Sequence, residues 1–395
     1  MLPQVVLKAQ KARTFSSRHP WVLDKAIDRI EGAASDGDEV DLVTHRGKFV
    51  GRGIFNGRSR IRVRLYTWDR GERLDEAFWR RRLEAAIALR TLIGYDDPHG
   101  AARLVFSEGD GLSGLVVDRY AGYLAVQVTS LGIARRMEQI VPSLVDLARP
   151  HGMVLRTEKG MNRAEGIELH DSLIWGRAPE GPVVVAENGL RWQVDLLEGQ
   201  KTGFYLDQRE NRRAAGPLVR GRRVLDMFCY TGGFSLAASA WGGAAEVLGF
   251  DSSQKAVELA RANAQLNAVT NVRFETGEAF DALKSLSAAG ERFGAVVLDP
   301  PKFARTRGAR EEALRAYHWL NRTAIGLLDP GGILVTCSCS GLVTREDFLA
   351  VLVGAAQQSG RHLQVLQQRG ASPDHPVAVN CLESEYLKCF LCRAV

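Results

Sequence analysis

The sequence predicts an α/β protein whose C-terminal half is a doubly wound, mostly parallel sheet, preceded by a small β-rich barrel and a central α+β domain. Three observations predict this class. Strand and helix patterns alternate from about residue 183 onward, acidic residues follow the ends of consecutive strands there, and the first 67 residues form short apolar segments separated by turn signals. We therefore place the domains at residues 1–70, 71–180 and 181–395.

The composition is that of an ordinary soluble globular chain. Hydrophobic residues make up 45% and charged residues 25% of the 395 residues, which excludes wholesale disorder. The sequence lacks an apolar run of about 18 residues and a secretory leader pattern, so a cytoplasmic location without membrane contact is expected. Five of the six cysteines lie in the last 60 residues, and all are expected to be reduced thiols.

Positive charge is concentrated at the start of the chain. Residues 1–70 hold 14 Lys/Arg against 8 Asp/Glu, a surplus of six that equals the net charge of the whole chain. In the predicted strand 61–66, alternation places Arg60, Arg62 and Arg64 on an outer face. A clustered basic segment indicates a polyanionic partner, and a merely solvated basic face is the alternative.

The central domain contains a glycine-rich turn with two carboxylates, residues 108–114. A tight hairpin and a direct role in binding are both open for this turn. A Gly/Pro-rich stretch, residues 177–182, is predicted to be the linker to the C-terminal domain.

The first strand, turn and helix of the C-terminal domain span residues 223–240. The apolar strand ends in Asp226, and glycines at 232 and 233 allow the backbone to approach a ligand closely. The GxGxxG pattern that cradles the two phosphates of a dinucleotide is absent, which disfavours a nicotinamide or flavin cofactor.

Two further acids follow the next two strands. Asp251 lies 18 residues beyond Gly233, and Glu278 follows 27 residues later. The acid on the first loop suits a cationic amino-acid group, the second a ribose and the third an adenine amino group. This pattern predicts an S-adenosylmethionine site, with further contacts from the loop residues Phe228, Tyr230, Thr231, Gly232, Ser252 and Ala279.

The fourth strand ends in an Asp-Pro-Pro segment. A stiff loop with a side-chain acceptor suits the edge of a flipped nucleobase, so Asp299 is predicted to bond the base and to border the cofactor. Phe303, or the arginines beyond it, would stack on a base or meet phosphate. The predicted substrate wall consists of Pro300, Pro301, Lys302 and Phe303, followed by Arg305, Arg307 and Arg310.

Two cysteines, Cys337 and Cys339, lie at the carboxyl end of a later strand. Methylation at C5 of a pyrimidine requires a nucleophile that adds to C6, and a thiolate suits this role. Cys339, nearer the strand end, is favoured, and the alternative is that both are small buried apolar residues. Cys389 and Cys392 would face opposite sides of a strand, so no metal site is predicted.

With these residues in place, the chain resembles the bacterial large-subunit ribosomal RNA 5-methylcytosine methyltransferase family. The similarity runs nearly end to end, and its matching pieces are residues 18–22, 59–64, 110–112, 114–118 and 201–212, of which the last is the most specific. The resemblance implies an N-terminal PUA domain that grips structured RNA, a central domain, and a Rossmann-like class I methyltransferase domain with a seven-stranded sheet. It also places Gln208 and Arg209 beside the methionine end of the cofactor and supports Cys339 as the nucleophile.

One departure from that family concerns the C5 proton, because many of its relatives carry a second cysteine where this chain has Pro300 and Pro301. The leading hypothesis is 5-methylcytosine formation in 23S ribosomal RNA, naked or partly assembled; uracil C5 would use the same nucleophile. One alternative is an RNA methyltransferase acting on a nitrogen of guanine or adenine without a covalent intermediate. Another is a non-catalytic RNA-binding assembly factor. The oligomeric state is open, with a homodimer among the options.

Overall fold

The structure is a computed structural model that describes residues 2–197, 203–304 and 306–395. The chain divides into two compact units. The first consists of Met1–Ala186, Val194–Phe204 and Pro373–Ser384, and the second of Glu187–Gln193, Tyr205–Ser372 and Glu385–Val395. The boundaries at residues 70 and 180 stay predictions.

The first unit contains two sheets and the helices that cover them. Its elements in chain order are β1 (Gln4–Leu7), α1 (Ala12–Ser16), β2 (Trp21–Leu23), β3 (Ile27–Glu31), β4 (Glu39–Val43), β5 (Phe49–Phe55), β6 (Ile61–Thr67), α2 (Glu76–Leu92), β7 (Ala101–Phe106), β8 (Leu115–Tyr120), β9 (Tyr123–Val128), α3 (Leu131–Ala134), α4 (Met137–Ala148), β10 (Gly152–Arg156), α5 (Lys159–Glu165) and β11 (Ser172–Gly176). Over the described residues, the strands form a six-stranded sheet of order β2-β6-β5-β4-β1-β3 and a five-stranded sheet of order β11-β10-β9-β8-β7.

Close packing between two strands of the first sheet explains why residue 53 is glycine. A Cβ added to Gly53 in β5 would stand 2.1 Å from the carbonyl oxygen of Arg64 in β6, so only glycine fits there. The helix α2 packs on the second sheet and is capped by Asp75, the residue before its first turn, whose side chain accepts a 3.0 Å hydrogen bond from the Phe78 amide. Phe78 and Trp79 of α2 are buried in the same apolar cluster as the sheet residue Leu104.

A hairpin follows along the chain, formed by β12 (Val183–Glu187) and β13 (Leu190–Val194). Its turn residues Asn188 and Gly189 have φ angles of 51° and 83°. Positive φ at both turn positions matches the twist of paired strands, which is why Asn-Gly favours a tight hairpin.

The second unit is a doubly wound α/β domain. Its elements are α6 (Arg209–Ala215), β14 (Arg223–Met227), α7 (Gly233–Ala240), β15 (Glu246–Asp251), α8 (Gln254–Leu266), β16 (Val272–Thr276), α9 (Ala279–Ala288), β17 (Phe293–Leu298), α10 (Arg310–Leu327), β18 (Leu328–Ser338), α11 (Arg345–Gln358), β19 (Leu363–Arg369) and β20 (Lys388–Ala394). In the described part of the chain they form a seven-stranded sheet of order β16-β15-β14-β17-β18-β20-β19. The predicted fold class is confirmed.

Parallel pairing places five strand ends at one edge of this sheet. β16, β15, β14, β17 and β18 pair in parallel, whereas β20 is antiparallel to both of its neighbours, β18 and β19. The carboxyl ends of β14, β15, β16, β17 and β18 therefore lie along one edge, where ligands bind in doubly wound sheets.

Alternating residues of β14 separate two apolar cores. Leu225 and Met227 belong to the cluster built on α9, α10 and α11, and Val224 belongs to the cluster on the other face, which includes Phe234 of α7. Asp226, between Leu225 and Met227, consequently faces α7. None of the helices in the described residues is both long and apolar enough to cross a lipid bilayer.

Candidate active site

The loop after β14 is held in a strained backbone conformation. Phe228 and Tyr230 have φ angles of 66° and 48°, a region that non-glycine residues rarely adopt, and Gly232 has φ 89°. The Cys229 amide donates to the Phe250 carbonyl at 2.8 Å, and the Tyr230 amide donates to Asp251 Oδ2 at 2.9 Å. These bonds fix the loop to the end of the neighbouring strand, so its shape is set before a ligand arrives.

Asp226 is a buried carboxylate, and among the described residues only one of its oxygens is bonded. Its Oδ2 accepts a 2.6 Å hydrogen bond from Ser235 Oγ of α7, while Oδ1 has no hydrogen-bond partner among the described residues. Burial raises the pKa of Asp226 to about 7. A buried, unbonded carboxylate oxygen is unfavourable unless a donor reaches it, and the α-ammonium group of S-adenosylmethionine is such a donor.

The other two predicted acids are more accessible. Asp251 is half-buried, and its oxygens accept from the amides of Tyr230 and Ser253, each at 2.9 Å. Glu278 is exposed at the start of α9, and Ser252 is exposed beside Asp251. The structure therefore brings the three acids to adjacent strand ends, as predicted, and Asp251 also shapes the loop. Their cofactor contacts stay predictions.

Asp299 follows β17 and is bonded to Gln208. Gln208 Nε2 donates to Asp299 Oδ1 at 2.9 Å. Burial, followed by the negative charge of Asp207, raises the pKa of Asp299 to about 7. A carboxyl group that titrates near neutrality can either accept from or donate to a base edge.

Arg209 and Arg212 share one buried acid that sequence reasoning missed. Arg209 Nε donates to Glu187 Oε2 at 3.0 Å, and Arg212 Nη2 donates to Glu187 Oε1 at 2.6 Å. All three side chains are buried. These bonds position the segment that carries Gln208, which the family resemblance placed near the cofactor. Lys201 and Thr202 of that segment lie outside the described residues.

The two candidate nucleophilic cysteines have different surroundings. Cys337 is buried in β18, directly opposite Cys389 of β20, and burial raises the pKa of its thiol. Cys339 lies just beyond the last residue of β18 and is half-buried, with its Sγ 3.7 Å from the carbonyl oxygen of Pro300. Of these two thiols, that of Cys339 is bonded to the backbone of the Asp-Pro-Pro loop, whereas that of Cys337 interacts with Cys389, Asp299 and Gln208.

The remaining residues of the Asp-Pro-Pro loop differ in how far they are buried. Pro301 and Lys302 are exposed, whereas Phe303 is half-buried with its ring 4.9 Å from that of Tyr317. Arg310, expected to be available to phosphate, is instead ion-paired with Asp347 at 2.6 Å and also with its neighbour Glu311. Arg305 and the side chain of Arg307 lie outside the described part of the structure.

The expected cationic outer face of β6 needs correction. Arg64 is only 8% exposed and forms ion pairs with Glu108 and Glu165, both at 3.3 Å. Glu108 lies in the glycine-rich turn, so this carboxylate has a structural partner. Arg60 is exposed and Arg62 half-buried. The alternation rule failed at Arg64 because the two acids cover that face of the strand.

Within the described residues, one histidine, cysteine and acid group is compact enough to hold an ion, namely His19, Cys381 and Glu383 in the first unit. The Trp21 amide donates to His19 Nδ1 at 3.1 Å, so Nε2 carries the ring proton and faces Glu383 Oε2 at 3.3 Å. Burial also raises the pKa of the Cys381 thiol to about 12. We assign this group to hydrogen bonding.

The doubly wound sheet, with acids after three adjacent strands, defines a class I S-adenosylmethionine-dependent methyltransferase. The chain matches the S-adenosylmethionine-dependent methyltransferase family over residues 173–387 and the PUA-like domain family over residues 5–68. It is 40% identical over 398 residues to ribosomal RNA large subunit methyltransferase I of Tolumonas auensis, and 39% identical over 404 residues to that of Aeromonas hydrophila, covering 100% of each chain in both cases. The chain belongs to the ribosomal RNA large subunit methyltransferase I family.

Solved structures share this fold. A methyltransferase crystallised with S-adenosylhomocysteine matches with a TM-score of 0.86 at 20% identity, covering 100% of both chains. An S-adenosylmethionine-dependent methyltransferase from Streptococcus mutans matches with a TM-score of 0.85 at 19% identity, also over 100% of both chains. The predicted family, fold and cofactor are confirmed.

Proposed function

We propose that the protein methylates C5 of a cytosine in large-subunit ribosomal RNA, with Cys339 as the nucleophile. The RNA class is supported by the relatives, which are named for methylation of large-subunit ribosomal RNA. The position of Cys339 carries the chemical part of the proposal. Its half-buried thiol lies beside the Pro300 carbonyl, at the sheet edge where Asp299 and the cofactor loops also lie.

The proposed reaction uses the thiolate of Cys339 as a temporary substituent of the base. A bond forms between Sγ and C6 of cytosine, and the displaced electron pair makes C5 nucleophilic. When bound, S-adenosylmethionine would supply the methyl group: the new bond from C5 forms as the bond between the methyl carbon and the sulfonium sulfur breaks, and S-adenosylhomocysteine leaves. Transfer of the C5 proton to water then returns the electron pair of that C–H bond to the ring, and the bond between Sγ and C6 breaks with its electron pair returning to sulfur, which regenerates the thiolate.

Asp299 is proposed to bond the pyrimidine edge at N3. Because the pKa of Asp299 is raised to about 7, its carboxyl group can carry a proton at neutral pH and donate to a nitrogen acceptor. Gln208 fixes the orientation of this carboxyl group, because its Nε2 donates to Asp299 Oδ1 at 2.9 Å. A donor at N3 stabilises the negative charge that develops when sulfur adds to C6.

The partial exposure of Cys339 favours methylation at C5 over methylation of a nitrogen. Five of the six cysteines are buried, and Cys339 is the exception. An accessible thiol beside the base-binding loop has no function in methyl transfer to an amino or ring nitrogen, because such a nitrogen is itself the nucleophile. The intact set of acids at the cofactor loops disfavours a non-catalytic assembly factor.

We further propose that the PUA-like region holds the RNA through phosphate contacts, with Arg60 and Arg62 as its cationic side chains. Their exposed or half-exposed positions on and beside β6 support this assignment, whereas Arg64 is committed to Glu108 and Glu165.

The test compares Cys339→Ala with Cys337→Ala. Each purified variant is incubated with S-adenosylmethionine and large-subunit ribosomal RNA, and the methylated nucleosides are identified by mass spectrometry. Loss of Cys339 should reduce 5-methylcytidine by on the order of a thousandfold or more, as for other covalent nucleophiles. The Cys337 variant should retain methylation.

A trapping experiment adds a direct readout of the adduct. RNA containing 5-fluorocytidine cannot lose a C5 proton, so the bond between Sγ and C6 should persist on a denaturing gel. Undiminished methylation by the Cys339 variant, or a product that is an N-methyl purine, would refute the covalent mechanism. Failure of the wild-type protein to bind S-adenosylmethionine would instead favour the assembly factor.

A further inference from the structure

Lys388 is a buried lysine at the end of β20, next to the proposed nucleophile. It is 3% exposed, and it is the register partner of Ser338, the last residue of β18. Lysine is almost never this buried unless its ammonium group is bonded. The burial of Lys388 therefore requires an explanation, and the proposed steps of methyl transfer do not use this residue.

The ammonium group of Lys388 ties two backbone segments together. Nζ donates to the Ser340 carbonyl at 2.7 Å and to the Tyr386 carbonyl at 2.8 Å. The first bond fixes the residue directly after Cys339. An ammonium group has three donors, so two carbonyl bonds leave one N–H for another acceptor.

Lys388 also lacks a carboxylate partner. No ion pair to Lys388 occurs among the described residues, and the nearby Glu385 is bonded at 2.7 Å to Arg345 instead. A buried cation without a counter-charge is unfavourable. Two negative charges act to raise the pKa of Lys388, and that of the Cys339 thiolate acts more strongly than that of Glu385. The Nζ atom also bonds to Ser340, the residue next to Cys339.

We infer that Lys388 is a positioning residue that holds the Cys339 loop against β20 and favours the thiolate form of Cys339. This inference rests on the proposed role of Cys339 as nucleophile. A buried ammonium group beside a thiol favours its thiolate, whereas the carboxylate of Asp299, next to Pro300, disfavours it.

Other charged and titratable groups near Lys388 and Cys339 raise or lower the pKa of Lys388. Burial lowers the pKa of Lys388 to about 8, and the charge of Cys339 opposes that shift. Above that pH, Lys388 loses its charge and with it the stabilisation of the thiolate. Among the described residues, Tyr205 and Tyr317 interact with the charge of Cys339, and each also interacts with Asp299. Lys388 interacts with Glu385, which raises its pKa, and with Arg345 and Lys302, which lower it.

The test measures thiolate formation in the free protein, without RNA. Iodoacetamide alkylation of Cys339 is followed against pH by mass spectrometry of its peptide, for wild type, Lys388→Gln and Lys388→Arg. Glutamine keeps an N–H donor but has no charge, whereas arginine keeps the charge. Lys284→Gln, at an exposed lysine of α9, is the matched control.

We expect the alkylation midpoint of Lys388→Gln to rise by about one pH unit, making alkylation roughly tenfold slower at neutral pH. Lys388→Arg and the control should stay within about threefold of wild type. Overlapping profiles for Lys388→Gln and wild type would overturn the inference. Equal shifts in the glutamine and arginine variants would also overturn it, because the effect would then come from geometry and not from charge.

Folding of each variant is checked by its thermal unfolding midpoint and by calorimetric titration with S-adenosylmethionine. If Lys388→Gln does not fold, the wild-type protein provides a second measurement. Its native alkylation midpoint should lie below that of the same cysteine in urea, and a native midpoint above the unfolded one overturns the inference. Because alkylation does not depend on RNA, a fully active Cys339→Ala variant would refute the proposed function without changing this result.

Discussion

Asp226 Oδ1 has no partner among the described residues, and its predicted contact with the cofactor would make cofactor affinity depend on pH. With a pKa of about 7 in the free protein, half of the molecules carry a proton on Asp226 at pH 7. If Asp226 binds the ammonium group of S-adenosylmethionine, as predicted, the carboxylate must be ionised in the complex, and binding releases that proton. The apparent Kd therefore rises as the pH falls through the pKa of Asp226. It equals the Kd of the fully ionised protein multiplied by one plus ten to the power of (pKa − pH).

From about pH 7 to about pH 5.5, that factor increases roughly fifteenfold, and over the same range an α-amino group of pKa about 7.7–8.0 stays protonated. Asp226→Asn should remove this dependence. The loss of one charge-assisted hydrogen bond of about 1.5–3 kcal/mol should also weaken binding by roughly 10- to 150-fold.

Isothermal titration calorimetry of the wild type and Asp226→Asn at several pH values provides the test. Titrations at pH 7 in two buffers of different ionisation enthalpy should show release of about half a proton per bound cofactor in the wild type and none from this site in the variant. Asp299→Asn is the control, because Asp299 also has a pKa of about 7. A wild-type Kd independent of pH, or a slope that survives in Asp226→Asn and vanishes in Asp299→Asn, would refute the assignment.

Two further predictions concern buried ion pairs and RNA contacts. Glu187→Gln should lower the free energy of unfolding by about 3–5 kcal/mol in urea denaturation, because two buried guanidinium groups lose their shared counter-charge. The control Glu246→Gln, at a half-exposed ion pair, should lower it by less than about 1 kcal/mol. Equal losses in the two variants would contradict this reasoning. Arg60→Ala should leave stability unchanged and reduce the salt dependence of RNA binding by about one phosphate contact, whereas Arg64→Ala should lower the unfolding temperature. The assignment fails if Arg60→Ala leaves the salt slope of RNA affinity unchanged.

The cofactor loops could be predicted from the sequence because their signal is local. A strand period followed by an acid and a glycine turn specifies both the element and the place where it ends, and parallel pairing then brings such ends together. Asp226, Asp251 and Glu278 illustrate this, since each lies within two residues of a strand end. The strained φ angles of Phe228 and Tyr230 have no such local signal, because neither is glycine.

The partners of buried charges could not be predicted, because they depend on contacts between distant segments. Arg64 alternates with apolar residues as an exposed side chain would, yet acids 44 and 101 residues away cover it. Glu187 meets its two arginines across a separation of 22 and 25 residues. Lys388 lies beside the Cys339 loop only because β20 pairs with β18 in one particular register. A single sequence contains no periodicity that reports such pairings.

The order of strands in the catalytic sheet has a consequence for how the protein is made. In the described residues, β19 pairs only with β20, and β20 separates it from β18. β20 is the last strand of this sheet to emerge during synthesis, so β19 has no partner in the sheet until translation has passed Ala394. Lys388 arrives with the same strand, and Cys339 therefore acquires its mature surroundings only then. A nascent chain stalled before residue 388 should hold the cofactor loops and the thiol without the charge proposed to activate it.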